Sequence, residues 1–344
     1  MQHSIRLWMG LVSTFMGVIL IAGCVNPGNF SDDKNNDATK PLIDEEKLKD
    51  EPYKAAQAIH SLIKPKQRSR VLDLVLSPNV SQDFETSISK DLGKAMDFWS
   101  PYSDEVDFKT VVLTELDTKW ANKQAQKFGG DLDIDRQIKE TEGNCNWAIA
   151  TRTYGGEPIV YLCTNSSGVK VEDSQTLPHE YFHLVQLSEL DNWNNEMPCW
   201  ILEGSATYFG AAIAFLEKPN IDYTSYSRLF FSRLLDQSPL GRDASVQIIK
   251  NGNGKEIVSK VIAPTTATQS SAGLDCAATG AYAVGALITE YLVITYGPEK
   301  FVELSLTDFS SNRWKKAFRK IFGVSLNQLY QDSALYISKQ IVEE

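Results

Sequence analysis

His179-Glu180-Tyr181-Phe182-His183 is the stretch on which the reading of this chain turns. It lies in a segment whose pattern predicts a helix starting near Thr176, with Pro178 tolerated in the first turn. On a helix, residues four apart share a face, so His179 and His183 present two imidazoles to one point. Glu180 then stands beside that point, free to act as a base. Two imidazoles do not complete a metal site, so the rest of the chain must supply a further ligand.

The histidine count restricts where that ligand comes from. The chain has four histidines, His3, His60, His179 and His183, and none follows His183. A downstream ligand must therefore be a carboxylate. Glu203 lies twenty residues after His183, within Trp200-Ile201-Leu202-Glu203-Gly204-Ser205-Ala206 at the start of a helix predicted over 200–216. A first-turn glutamate favoured by the helix dipole is the plainer alternative. Gly204, Ser205, Ala206, Gly210 and Ala211 carry little bulk, which would let this helix approach the histidine helix closely.

H-E-x-x-H, nineteen intervening residues and W-x-x-E-G-x-A together resemble the gluzincin metallopeptidases, the clan of thermolysin and the aminopeptidase N-like enzymes. The motifs cover roughly residues 176–210. Further along, Tyr282-Ala283-Val284-Gly285 and the Trp314-to-Gly323 region are similar to peptidase MA-like domains. The resemblance implies one Zn2+ per chain held by His179, His183 and Glu203, with Glu180 as general base towards a zinc-activated water. Thr207, one turn after Glu203, is a candidate to hold a ligating imidazole from behind. Thermolysin-like enzymes stabilise the oxyanion with a histidine; none is available downstream here, so Tyr282 takes that role by resemblance to the aminopeptidase N-like tyrosine, with Tyr208, Tyr223, Tyr226 and Tyr291 as competitors. The amine-binding G-x-M-E-N strand of the aminopeptidases is absent around Gly155 to Thr164, which tilts the expectation towards an endopeptidase. A strand over Pro158–Cys163 is expected to accept an extended substrate as an added strand.

The remainder of the sequence frames this site. The 344 residues carry a net charge of −10, which argues against a nucleic-acid binder. Arg6, an apolar run from Leu7 to Gly23 and Ile21-Ala22-Gly23-Cys24 read as an export signal over 1–23. Its end resembles the bacterial lipobox, which implies a lipidated Cys24 anchoring the protein to a bacterial membrane outside the cytoplasm; a transmembrane anchor is the alternative. Residues 24–50, rich in Asn, Asp and Lys, read as a flexible tether. The fold class expected is α+β: a mixed α/β part with a small sheet over 51–172, then a mainly helical part over 173–344. The resemblance implies a thermolysin/aminopeptidase N-like catalytic architecture for the two.

Within these parts, helices are predicted over 81–99, 118–128, 280–296, 312–321 and after a Ser325/Gln328 capping box. Strands are expected over 106–116, 147–153 and 158–163, and a long loop over 251–273. Cys145, Cys163, Cys199 and Cys276 suit two disulfides in three possible connectivities. Cys145–Cys163 is favoured because the two flank a predicted hairpin, and Cys199–Cys276 follows by elimination. The expected function is a membrane-tethered, zinc-dependent peptidase acting on a peptide or protein substrate. A non-catalytic binding or assembly lipoprotein that keeps the fold is the rival, and a solute-binding lipoprotein with a chance motif is a third reading.

Overall fold

The computed structural model describes residues 51–341 apart from 65–72, 104–107, 130–132, 141–142, 144, 146, 154–156, 167–170, 189–196, 239, 263–268, 271–272, 275, 277–279, 308 and 310–313. The expected signal segment 1–23, Cys24 and the tether 24–50 lie outside the described residues. Among the described residues no helix is long and apolar enough to cross a membrane.

Helix α1 (Glu51–Ser61) begins the described chain, followed by strand β1 (Leu74–Leu76) and helix α2 (Gln82–Trp99). Ser81 starts α2 as expected, its side chain accepting the Phe84 N–H at 3.2 Å. The helix then buries Phe84, Ile88, Leu92 and Ala95, a stripe at helical spacing. Next come β2 (Lys109–Thr114), α3 (Thr118–Lys127), α4 (Ile134–Glu140), β3 (Trp147–Arg152) and β4 (Pro158–Thr164).

The four strands form one mixed sheet in the order β1-β2-β4-β3, with β1, β2 and β4 parallel and β3 antiparallel to β4. Side chains of a strand alternate between faces, and both faces are covered. Val112, Ala148, Ala150, Val160 and Leu162 join the main core. Val111, Leu113, Trp147, Ile149 and Tyr161 join a second core with Ala121 and Ala125 of α3. The order corrects one expectation. Strand β4 has both edges occupied, by β2 and β3, so it cannot take a further strand; among the described residues the free edges belong to β1 and β3.

Beyond the sheet the chain is helical. Helix α5 (Thr176–Ser188) carries the histidine pair. A π-helical turn over Trp200–Gly204 runs into α6 (Ser205–Phe215), where one regular helix was expected. Helices α7 (Tyr223–Arg233) and α8 (Gly241–Asn251) follow, neither of them predicted. The expected long loop holds short elements: α9 (Gly254–Ile257), a π turn over Val258–Ile262, and a ribbon of β5 (Gln269–Ser270) and β6 (Gly273–Leu274). Then α10 (Ala281–Tyr296), α11 (Pro298–Ser305), α12 (Trp314–Phe322) and α13 (Leu326–Gln340) complete the chain. At the start of α13 the capping box is only half formed. Ser325 accepts the Gln328 N–H, but the Gln328 side chain donates to Asp332 instead of reaching back. The architecture is therefore α+β, and both favoured disulfides are present, Cys145–Cys163 and Cys199–Cys276, with Cα atoms 4.8 and 5.5 Å apart. The second ties the π turn's start to the segment ahead of α10.

Candidate metal centre

Residues 177–186 of α5 are buried on all sides, and its apolar residues fix its rotation. Phe182 stacks on Trp99 of α2 with ring centroids 4.8 Å apart, and Tyr181 meets Phe108. With those two faces committed, His179, Glu180 and His183 point towards α6, α10 and β3, each less than a tenth exposed. Helix α6 comes close because Gly210 has no side chain: a Cβ there would stand 2.7 Å from the Gln175 carbonyl and 3.2 Å from the His179 Cβ. Gly204 serves a different neighbour from the one expected. A Cβ at that position would meet the backbone of Gly285 on α10 at 2.4 Å, so α10 crosses the π turn backbone to backbone.

That π turn carries Glu203, which is fully buried. A π turn inserts an extra residue into a helix and redirects the side chains it carries, a feature concentrated at functional sites. The Nε2 atoms of His179 and His183 lie 3.0 Å apart. Glu203 Oε2 lies 3.2 Å from the His183 Nε2 and 3.4 Å from that of His179. Ligands about 2.0–2.1 Å from a common tetrahedral centre stand about 3.3 Å apart. The three groups thus converge as a set that could hold a metal ion.

Electrostatics follow from that convergence. Burial works against ionisation of Glu203, yet the imidazoles of His183 and His179 outweigh it and hold the carboxyl well below the usual range. Burial likewise opposes a charged His183, but the Glu203 carboxylate overcomes it and pushes the imidazole up to about 9. Glu180 is shifted the other way. Burial raises it, against the pull of the two histidines. The Ala150 amide of edge strand β3 hydrogen-bonds the Glu180 carboxylate, while Glu180 Oε2 has no partner among the described residues.

Around these residues one role moves. Thr207 does not support an imidazole; its hydroxyl donates to the Glu203 carbonyl at 2.7 Å, one turn back along its own helix. The group behind His183 is Gln186, whose Oε1 lies 2.9 Å from the His183 Nδ1. Its amide nitrogen faces the carbonyls of Ile201 and Leu202 at 3.4 Å and Ser205 Oγ at 3.3 Å, so it links α5 to the π turn. Gln186 lies three residues after His183, on the same helix face, and that spacing was the signal available for finding it.

Tyr282, in the first turn of α10, lies parallel to the His179 ring with centroids 6.2 Å apart. The competing tyrosines sit elsewhere. Tyr208 and Tyr223 are buried near Glu290, Tyr226 packs on Phe215, and Tyr291 meets Tyr336. Family models yield no match to the chain, and neither do the curated proteins or the solved structures.

Proposed function

We propose that this chain is a zinc-dependent peptidase of gluzincin type, an endopeptidase acting on a peptide or protein outside the cytoplasm while lipid-anchored through Cys24. The observation that carries the proposal is the buried convergence of His179, His183 and Glu203 beside a carboxylate, Glu180, with one oxygen uncommitted. Two imidazoles and a carboxylate are a donor set suited to zinc at a catalytic site, where a fourth position stays open. When bound, zinc acidifies a water molecule and polarises a carbonyl.

The chain's own groups do the rest. The Ala150 amide holds Glu180 in place, leaving Oε2 to take a proton from the attacking water and deliver it to the leaving amine. Gln186 fixes the orientation of His183 from behind. Tyr282 offers a hydroxyl towards the carbonyl oxygen as negative charge builds there. An extended substrate pairs with the free edge of β3, which brings its backbone past Glu180. A small sheet followed by helices, with the histidine helix and the glutamate helix in contact, is consistent with a thermolysin/aminopeptidase N-like architecture.

Metal analysis and two variants test the proposal. Purified protein should hold about one zinc per chain, and Glu180→Gln should retain it while losing cleavage of a peptide library. Tyr282→Phe should lower turnover about 10²–10³-fold with metal content unchanged. A Glu180→Gln protein that still cleaves would end the assignment. Zinc without any cleavage in the unmodified protein would transfer the fold to a binding or assembly lipoprotein.

A further inference from the structure

Among the described helices, α12 has the most unequal division of faces. Trp314, Phe318, Ile321 and Phe322 are buried against α11 and α13. The opposite face exposes Lys315, Lys316, Arg319 and Lys320, and the helix holds no acidic residue. This is a single-sign surface on a chain whose net charge is −10. Among the described residues none of the four forms an ion pair; the Lys315 ammonium lies over the Trp314 ring at 5.9 Å. Acidic groups on the neighbouring helices have other partners or are sparse. Glu303 of α11 pairs with Lys300, and Asp332 of α13 accepts from Gln328, leaving Glu299 of α11. A face that serves only solubility ordinarily mixes both signs.

We infer that the exposed face of α12 docks on an anionic membrane surface, its four cations meeting lipid phosphates. A basic amphipathic helix whose apolar side is already covered recognises charge and does not insert. The choice of a membrane over other polyanions rests on the anchored reading, and not on the peptidase reading. On the anchored reading only residues 25–50, between Cys24 and α1, separate the lipid from the domain, so even a weak surface contact counts. Docking also orients the metal centre. Tyr296, in the last turn of α10, packs on Phe322 of α12 with centroids 5.2 Å apart, whereas Tyr282 at the other end lies beside His179. Fourteen residues of helix separate the two tyrosines, about 21 Å. The candidate metal centre is then held at the far end of α10 from the bilayer contact.

Lysine acetylation read by mass spectrometry on the full chain tests this. The protein is mixed with excess vesicles of phosphatidylcholine alone or with phosphatidylglycerol added. Each cation at an anionic surface is worth roughly a five-fold gain in partitioning. Lys315, Lys316 and Lys320 should therefore be protected about five-fold or more on the anionic vesicles at low salt. The protection should vanish at about 0.5 M salt, while Lys119 and Lys123 on the far side of the sheet label equally throughout. Equal labelling of α12 on both vesicle types overturns the inference. Protection by soluble polyglutamate that vesicles fail to reproduce also overturns it, giving the face to an anionic polymer. The same spectra read acylation at Cys24, so failure of the anchor is seen separately from failure of the docking face.

Discussion

Two buried polar clusters sit in the helical part of this molecule, and they solve the same problem in opposite ways. In one, Arg228 of α7 and the Tyr336 hydroxyl of α13 both donate to Glu290 of α10, all of them buried. In the other, two imidazole nitrogens and the Glu203 carboxylate face one another at 3.0–3.4 Å. Donors meet acceptors in the first, so a charge pair completes itself inside the protein. Its leftover atoms, Nε and Nη1 of Arg228 and Oε2 of Glu290, include both kinds and suit bridging water. In the second, a proton that the Glu203 carboxylate draws onto His183 lies among three groups whose nitrogen and oxygen atoms all face one point, so one proton cannot satisfy every contact. A buried cluster of converging groups could hold a cation; a buried cluster of matched pairs serves the fold.

The largest expected effect breaks the matched pair on one side only. Arg228→Met leaves the Glu290 carboxylate buried without its cation and should cost about 3–5 kcal/mol of stability in urea unfolding. Adding Glu290→Leu should recover much of that loss, because an apolar pair has nothing left to desolvate. Recovery would mark the cluster as structural, and a single variant as stable as the parent would refute the pairing. Chelation should come next in size. At metal concentrations 100–1,000 times the dissociation constant, bound metal contributes about 2.7–4.1 kcal/mol. Removing it should lower the unfolding midpoint of the parent protein and leave a Glu203→Gln variant almost unmoved. Equal responses would mean that Glu203 does not hold the metal.

The two clusters also differ in how far the sequence disclosed them. His179 and His183 were legible because motif spacing on a helix is local, and Glu203 because the chain has no later histidine and its motif twenty residues on resembles a known one. The strands around the Cys145–Cys163 pair were legible for a similar reason, as alternating residues about a turn. Arg228 and Glu290 were not, since a pair 62 residues apart leaves no local pattern. Helices α7 and α8 escaped because their apolar stripes are interrupted by Ser, Gln and Arg, and packing supplies the signal that periodicity lacks. Thr207 was misread because a helical threonine readily bonds its own backbone one turn back, which no spacing rule excludes.

Helix α10 links the two clusters, with Tyr282 and Gly285 near the candidate metal ligands and Glu290 in the matched pair. A Cβ at Gly285 would stand 2.7 Å from the Trp200 carbonyl oxygen and 2.9 Å from the Gly204 Cα. Gly285→Ala must push α10 off the π turn, an overpacking that should cost about 1–3 kcal/mol. Because Glu203 and Tyr282 lie on the two sides of that crossing, the variant should also weaken metal binding and lower turnover. Arg228→Met should leave both nearly unchanged in the fraction that remains folded. If Gly285→Ala lost stability with metal affinity intact, the crossing would belong to the fold alone.

The smallest effect concerns His60, the one described histidine outside the metal centre. Its Nε2 lies 2.9 Å from the Ala212 carbonyl and its Nδ1 lies 3.5 Å from Glu217, so both ring nitrogens have protein partners. Burial lowers its pKa and Lys94 acts in the same direction, against the opposing pull of Ala212 and Glu217. A histidine whose pKa falls on folding binds its proton more readily in the unfolded chain. Its contribution to stability is therefore complete above about pH 6.5 and is lost as the pH drops towards the folded value. Stability measured from pH 7 down to pH 5 should fall slightly more in the parent than in His60→Gln. That difference should be the same with and without chelator, because His60 already has its partners. A difference that disappeared on chelation would tie His60 to the metal ligands and erase the distinction between satisfied and converging groups.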